Sequence, residues 1–232
     1  MNLSMENQNR AAVESKEEPA MRDAANKAFW QKWAKWYAPA MRSSEEMYRS
    51  IRERIAPCLT KRMNVLELAC GTGQLSFGLA PCARQWEATD FSEAMIAQAK
   101  RYQLHGAGAP GSRLFFSVQD ATNLPYADHS FDAVVIANAL HIMPHPETAL
   151  AEIRRVLKPG GMLFAPTFVH GTARAARLRV RLMNLAGFHV FHRWSAVEFV
   201  DYLNAHGFRV AEQSLMGSAV APLCFVRAVP QN

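Results

Sequence analysis

The residues most able to do chemistry lie close together in Val65-Leu66-Glu67-Leu68-Ala69-Cys70-Gly71-Thr72-Gly73-Gln74-Leu75-Ser76. This reads as a buried strand, a glycine turn and the start of a helix. Gly71 and Gly73 remove side chains where the backbone must bend sharply and let a ligand press against it. The helix that follows aims its unpaired N–H groups and positive dipole end at that ligand. Glu67, at the strand's end, is placed to accept hydrogen bonds rather than to meet a phosphate, which argues for a cationic or donor-rich ligand. A second strand, Gln85 to Thr89, closes on Asp90. An acid at that place in an α/β unit suits a ribose diol, because one carboxylate can accept from both hydroxyls. The glycine spacing is E-x-A-C-G-T-G, with Ser76 where a dinucleotide fold has its third glycine. The pattern therefore fits a nucleoside site without a pyrophosphate.

Further candidates follow strands three and four. Asp120 ends the run Leu114 to Gln119. Asn138-Ala139-Leu140-His141-Ile142-Met143-Pro144 follows the apolar run Phe131 to Ala137. That is the carboxyl edge, where open parallel sheets bind ligands. His141 is the candidate polar active-site group, a base or orienter near neutral pH; the same histidine would also suit plain packing beside a ligand. Asp132 reads as a structural residue beneath the sheet.

The elements that must carry these residues alternate strand and helix, as a doubly wound sheet requires. Helices are expected over Gln74 to Ala80, Ser92 to Leu104 and Thr148 to Leu157, the last stopping at Lys158-Pro159-Gly160-Gly161. Gly161 to Thr167 is the fifth strand. Ser195-Ala196-Val197-Glu198 opens another helix as a capping box. Two runs, Phe208 to Leu215 and Leu223 to Val229, make an antiparallel hairpin. Before the core, Phe29, Trp33, Trp36, Tyr37, Met41, Met47, Ile51 and Ile55 recur at helical spacing, interrupted near Pro39.

Taken in order, these motifs resemble the class I S-adenosylmethionine-dependent methyltransferases, from about Tyr37 to the C-terminus. The stretch Asp120-Ala121-Thr122-Asn123-Leu124-Pro125-Tyr126 with Ser130-Phe131-Asp132, and the Asn138-to-His141 run, are similar to the ubiquinone and menaquinone biosynthesis branch. The resemblance implies a Rossmann-like α/β fold: a seven-stranded, mostly parallel sheet with helices on both faces and an N-terminal helical lid. It implies S-adenosyl-L-methionine as cofactor and a methyl group passed to a small-molecule acceptor, with a quinone precursor, a lipid amine and a small thiol or amine all open. Glu67 and the backbone from Ala69 through Gly71 to Gly73 would hold the amino-acid part of the cofactor. Asp90 would take the ribose, with Phe91 and Met95 near the adenine. Asp120 and Ala121 would meet the adenine amino group. Asn138 would line the cofactor, largely through its backbone, and Tyr37 would turn toward its methionine end. No metal ligand set is expected.

The domain reading is a flexible tail over residues 1–27 and one methyltransferase domain over 28–232, with a lid over 28–60 and a basic insertion over 170–193. That insertion holds Arg174, Arg177, Arg179, Arg181 and Arg193 and no acid, whereas the signs nearly cancel across the rest of a chain of net charge +6. Residues 173–185 read as an amphipathic basic helix that would rest on an anionic membrane, seat an amphiphilic substrate, or simply pack as a lid. With no apolar run of membrane-spanning length and no apolar signal core at the N-terminus, the expected place is the cytoplasm, with peripheral membrane contact through 173–185. The four cysteines are scattered and read as reduced thiols. A nucleic-acid partner is not expected, since no Asn/Asp-Pro-Pro-Tyr motif follows strand four and no RNA-binding module is appended. Two rivals stand beside the methyltransferase: a catalytically silent scaffold of the same fold, and an NAD-dependent dehydrogenase, against which the missing third glycine speaks.

Overall fold

The computed structural model describes residues 26–37, 44–170, 190–218 and 221–231. Residues 171–189, which include 173–185 and most of the basic insertion, and nearly all of the expected N-terminal tail lie outside the described residues. A first helix, α1 (residues 26–37), begins two residues inside that tail. Then follow α2 (Glu45–Ile55), β1 (Asn64–Leu68), α3 (Ser76–Leu79), β2 (Gln85–Asp90), α4 (Glu93–Leu104), β3 (Leu114–Val118), β4 (Phe131–Ile136), α5 (Pro146–Val156), β5 (Leu157–Phe164), β6 (Thr167–Phe168), α6 (Ala196–Ala205), β7 (Phe208–Ser218) and β8 (Ala221–Pro230).

One eight-stranded sheet carries the fold, in the order β3-β2-β1-β4-β5-β8-β6 with β7 paired to β8. The first five strands are parallel, and the β7–β8 hairpin joins antiparallel. The eighth strand beyond the expected seven is the two-residue β6, which pairs with Cys224 and Leu223 of β8. Alternate residues of the central strands feed two cores. Leu66, Leu68, Val134 and Ile136 pack with α5 and α6 on one face. Val65, Trp86, Ala133 and Val135 pack with α2, α3 and α4 on the other. Strands buried on both faces have no polar side to show, which is why they read as continuous apolar runs.

Helix α3 is shorter than expected, Ser76–Leu79 rather than Gln74 to Ala80, and two further elements depart from the sequence expectation. Helix α5 starts at Pro146, two residues early, because proline at the first helical position gives up an N–H that has no partner there anyway. The Lys158-to-Gly161 turn lies within β5 as an irregularity: Leu157 faces Phe131, and pairing resumes only at Met162 opposite Ala133. Gly160 takes φ +75°, which lets the backbone loop out there. Asp132 anchors this end of the sheet, accepting from Asn64 N–H and Lys158 Nζ at 2.8 Å each. The site is therefore at the opposite, carboxyl end. Among the described residues no helix is long and apolar enough to cross a membrane.

Candidate functional site

Parallel strands deliver the ends of β1, β2 and β4 side by side, and the chain leaves each of them in a turn. Three residues at those exits adopt left-handed backbone: Ala69 (φ +52°), Gly71 (φ +56°) and Asn138 (φ +55°). For Ala69 and Asn138 this conformation costs on the order of 1 kcal/mol, and such strain gathers at functional sites. At Gly71 a side chain is excluded twice over, by φ and by the Tyr37 ring, which a Cβ would meet at 3.1 Å.

These turns surround a cavity of about 250 Å³. Its floor and walls include Ala69, Gly71, Asp90, Phe91 and Met95 from the β1 and β2 side. Asp120, Ala121 and Asn138 close the β3 and β4 side, and Tyr37 comes down from α1. Nine of the expected residues thus share one cavity.

Asp90 is buried and its carboxylate is fixed by backbone donors. Gly71 N–H donates to Oδ2 and Ser92 N–H to Oδ1, both at 2.9 Å. Burial still pushes its pKa up to about 6, with those two N–H groups opposing the rise. Ser92 also caps α4, accepting from Met95 N–H. Asp90, the glycine turn and the head of α4 are therefore one connected unit. Asp120 uses Oδ1 to accept from the Thr122 N–H and hydroxyl, at 2.8 and 2.7 Å.

Three expected site residues lie behind the wall. Glu67 is buried beneath the glycine turn, where one oxygen accepts from Ser76 Oγ and from Trp86 Nε1. Burial raises its carboxyl to about 7, the two donors opposing and Asp90 adding to the rise. Gly73 (φ +91°) owes its identity to packing, since a Cβ there would meet the Phe77 ring at 2.7 Å. His141 is buried in a short 3₁₀ turn, its flanking Ile142 and Met143 on the wall instead. Burial, then His192, lowers its imidazole to about 4, so it is neutral at pH 7. Its ring meets Phe168 edge-on at 6.0 Å. The main-chain N–H groups of Phe191 and His192 both donate to the His141 carbonyl, at 3.1 and 3.0 Å.

Among the described residues, several buried polar atoms of that corner have no hydrogen-bond partner: His141 Nδ1, His192 Nε2, Thr167 Oγ1 and both amide atoms of Asn138. The Tyr48 hydroxyl comes near the Asn138 amide but makes no bond of good geometry with it, pairing instead with Tyr37 Oη at 3.3 Å.

Some wall residues were not foreseen from the sequence. Asn26 and Trp30 line the cavity from α1, Gln119 and Thr122 from the loop after β3, and Thr148 from the first turn of α5. Trp30 stands seven residues before Tyr37, two helical turns along the same face, and that spacing could have found it. Gln31 ties α1 down, its Oε1 accepting from Ala94 N–H at 2.8 Å and Ser92 Oγ at 3.3 Å. Its Nε2 and Lys27 Nζ both reach Glu93, at 3.2 Å each.

Residues 65–161, which carry most of this wall, match a family described as "Methyltransferase domain". Over those residues the chain is similar to methyltransferases. Demethylmenaquinone methyltransferase of Clavibacter sepedonicus is 40% identical over 121 residues, 52% of this chain and 46% of that protein. The ubiquinone/menaquinone biosynthesis C-methyltransferase UbiE of Bordetella avium is 40% identical over 110 residues, 46% of this chain and 41% of that protein. The chain thus spans less than half the length of either relative. Among solved structures, magnesium protoporphyrin IX methyltransferase (ChlM) from Synechocystis PCC 6803 with bound SAH superimposes with a TM-score of 0.64 at 17% identity, covering 81% of this chain and 84% of that one. The DhpI–SAH complex gives 0.66 at 22% identity, covering 90% and 96%. At such identity these two speak for the fold alone: the sheet and its helices have the Rossmann-like architecture expected from the sequence.

Proposed function

We propose that this protein transfers a methyl group from S-adenosyl-L-methionine to a small-molecule acceptor. The observation that carries the reading is Asp90: a buried carboxylate held by the glycine turn and by the α4 cap, opening on a cavity at the carboxyl edge of a methyltransferase domain. Rigid placement suits a carboxylate that must accept from two neighbouring hydroxyls. Asp90 takes the ribose, and Phe91 and Met95 pack on the adenine, whose amino group meets Asp120 and the Ala121 backbone. Gly71 and the strained Ala69 bring main chain against the amino-acid end, with Tyr37 and Asn138 nearby. Glu67 and Gly73 act from behind, Glu67 by holding Ser76 at the head of α3 and Gly73 by admitting the Phe77 ring.

The cofactor brings a methyl group already activated on a sulfonium, so the chain's work is alignment and exclusion of water. The unstrapped polar atoms of Asn138 fit that end of the site, since a buried amide without a partner is costly until something pairs with it. His141, neutral at pH 7, serves as an acceptor or orienter from behind the wall. The relatives named for quinone biosynthesis favour a quinone precursor as acceptor. The basic stretch 170–193 is proposed to face acceptor or membrane; replacing Arg174, Arg177 and Arg181 with Gln is expected to lower turnover or liposome binding, and loss of neither would remove it.

The test is incubation with methyl-labelled S-adenosylmethionine and candidate acceptors, followed by partition between organic and aqueous phases. Label in the organic phase is expected. Label confined to water would redirect the reading to a polar acceptor. Cofactor binding without any transfer would favour a silent scaffold.

A further inference from the structure

Helix α1 has two apolar faces, and the site uses one. Asn26, Trp30 and Tyr37 look onto the cavity, with Ala34 buried between them at 2% exposure. Round the helix from these, Phe29, Trp33 and Trp36 recur at spacings of four and three. Phe29 stacks on Trp33 at 5.6 Å. Trp33 is 39% and Trp36 68% exposed. Lys32 and Lys35 are exposed beside them.

The helix carries three lysines and no acid. Lys27 is committed to Glu93. Neither Lys32 nor Lys35 meets a carboxylate among the described residues. A single exposed tryptophan needs no explanation. Two on one stripe, flanked by two exposed cations on an acid-free helix about 18 Å long, describe a surface that is both aromatic and positive.

We propose that the Phe29-Trp33-Trp36 stripe with Lys32 and Lys35 docks the protein on an anionic lipid bilayer. Tryptophan settles at the headgroup level, where its ring is apolar and its N–H wet. Lysines beside it gain from the negative surface potential. A helix lying in the interface presents one apolar face to lipid; α1 would do so while the neighbouring face, about 90° round the helix, roofs the cavity. The lipid surface then runs beside the helix that roofs the cavity, an arrangement an apolar acceptor would use. That last point rests on the proposed methyl transfer; the docking itself does not.

The experiment is sedimentation of the full-length protein with phosphatidylcholine vesicles, with and without phosphatidylglycerol, read together with tryptophan emission. Binding to the phosphatidylglycerol vesicles, with a blue shift and reversal by salt, is expected. Trp33→Ala with Trp36→Ala is expected to cut partitioning by at least about tenfold and to abolish most of the shift. Lys32→Gln with Lys35→Gln is expected to lower it by about 30-fold at low salt, from roughly 1 kcal/mol per lysine. The charge variants keep the test valid should the tryptophan pair disturb the helix, which circular dichroism would reveal. The proposal falls if the wild type ignores anionic vesicles or if both double variants bind like it, which would place any membrane contact elsewhere, as in 170–193. It falls equally if duplex RNA displaces the vesicles at matched phosphate, or if a concentration-dependent dimer buries the tryptophans without lipid. Calorimetry with S-adenosylhomocysteine on the same samples reads the cofactor site separately, so failure of docking and failure of the methyltransferase reading are told apart.

Discussion

At the ends of β1 and β2 the buried polar side chains are tied down: Asp90 by two backbone donors, Glu67 by a serine and an indole. At the ends of β4 and β5 they are not. Asn138, His141, Thr167 and, on the chain that packs over them, His192 all hold buried atoms without a partner among the described residues. Both corners flank the same cavity. A satisfied network is rigid before any ligand arrives; an unsatisfied one destabilises the empty protein and gains when a ligand pairs with it. In the proposed function the first corner belongs to the cofactor, a constant partner. The second belongs to the reacting end, where the acceptor must come and go.

The largest effect should come from breaking the tied-down corner. Asp90→Ala is expected to weaken cofactor binding by about 3 kcal/mol, roughly 150-fold, the upper range for hydrogen bonds to a charged group. Isothermal calorimetry reads it directly; unchanged affinity would remove Asp90 from the site and with it the observation on which the functional reading stands.

The same corner should show itself in the pH dependence of stability. Glu67 is raised to about 7 by burial, from an ordinary 4.5. A carboxyl that holds its proton more tightly folded than unfolded costs nothing below the unfolded value. Its penalty grows as pH rises through that value and is complete above about 7. His141, lowered to about 4, works the other way, adding stability as pH rises toward its unfolded value near 6.5. His141, and Asp90 raised to about 6, titrate alike in both proteins, so the difference between the wild type and a Glu67 variant belongs to Glu67. Glu67→Gln keeps an oxygen for Ser76 and Trp86 while removing the charge. At pH 8 we expect it to be about 2 kcal/mol more stable than the wild type in urea, an advantage that shrinks toward pH 5. A constant difference across the series would mean that the carboxyl does not titrate in this range.

Much of the first corner was legible in the residues, and little of the second. Gly71, Asp90 and Asp120 declare themselves because a glycine turn and strand-end acids have local signatures, and strand order then brings them together. The same signatures overreach at Gly73 and Glu67. No local pattern says that the Phe77 ring, rather than a ligand, needs the space beside Gly73, or that the Trp86 indole, nineteen residues away, reaches Glu67. Thr167 and His192 carry no motif at all; their shared corner exists only because β6 pairs with β8 and residues 191–192 dock on the His141 carbonyl. Residues of α1 such as Trp30 fall between. Their periodicity is visible, but which face meets the cavity depends on a tertiary latch.

A smaller change tests the open corner. Thr167→Val removes a hydroxyl that has no partner at 0% exposure and keeps its shape. We expect a gain of about 1 kcal/mol in the ligand-free protein by urea unfolding. Ser76→Ala, the matching change in the tied-down corner, is expected to lose a similar amount, because it deprives buried Glu67 of a donor. Two changes of the same sign would erase the contrast between the corners.

The smallest effect concerns the latch that holds the roof over both. Gln31 accepts from Ala94 N–H and Ser92 Oγ and donates to Glu93, so one side chain joins α1 to the head of α4, just beyond Asp90. In Gln31→Ala the Ala94 N–H is near the surface and recovers water, so global stability should fall by no more than about 0.5 kcal/mol. What should move is the equilibrium between a seated and a lifted α1. If cofactor binding requires α1 seated, through Tyr37 and Trp30, apparent affinity falls with the seated fraction. A few-fold loss is expected, carried by faster dissociation in stopped-flow measurements, since a loosened roof opens the exit more than it hinders entry. A loss carried by association instead would mean that α1 closes only after the cofactor is in place, and that the latch belongs to the acceptor step.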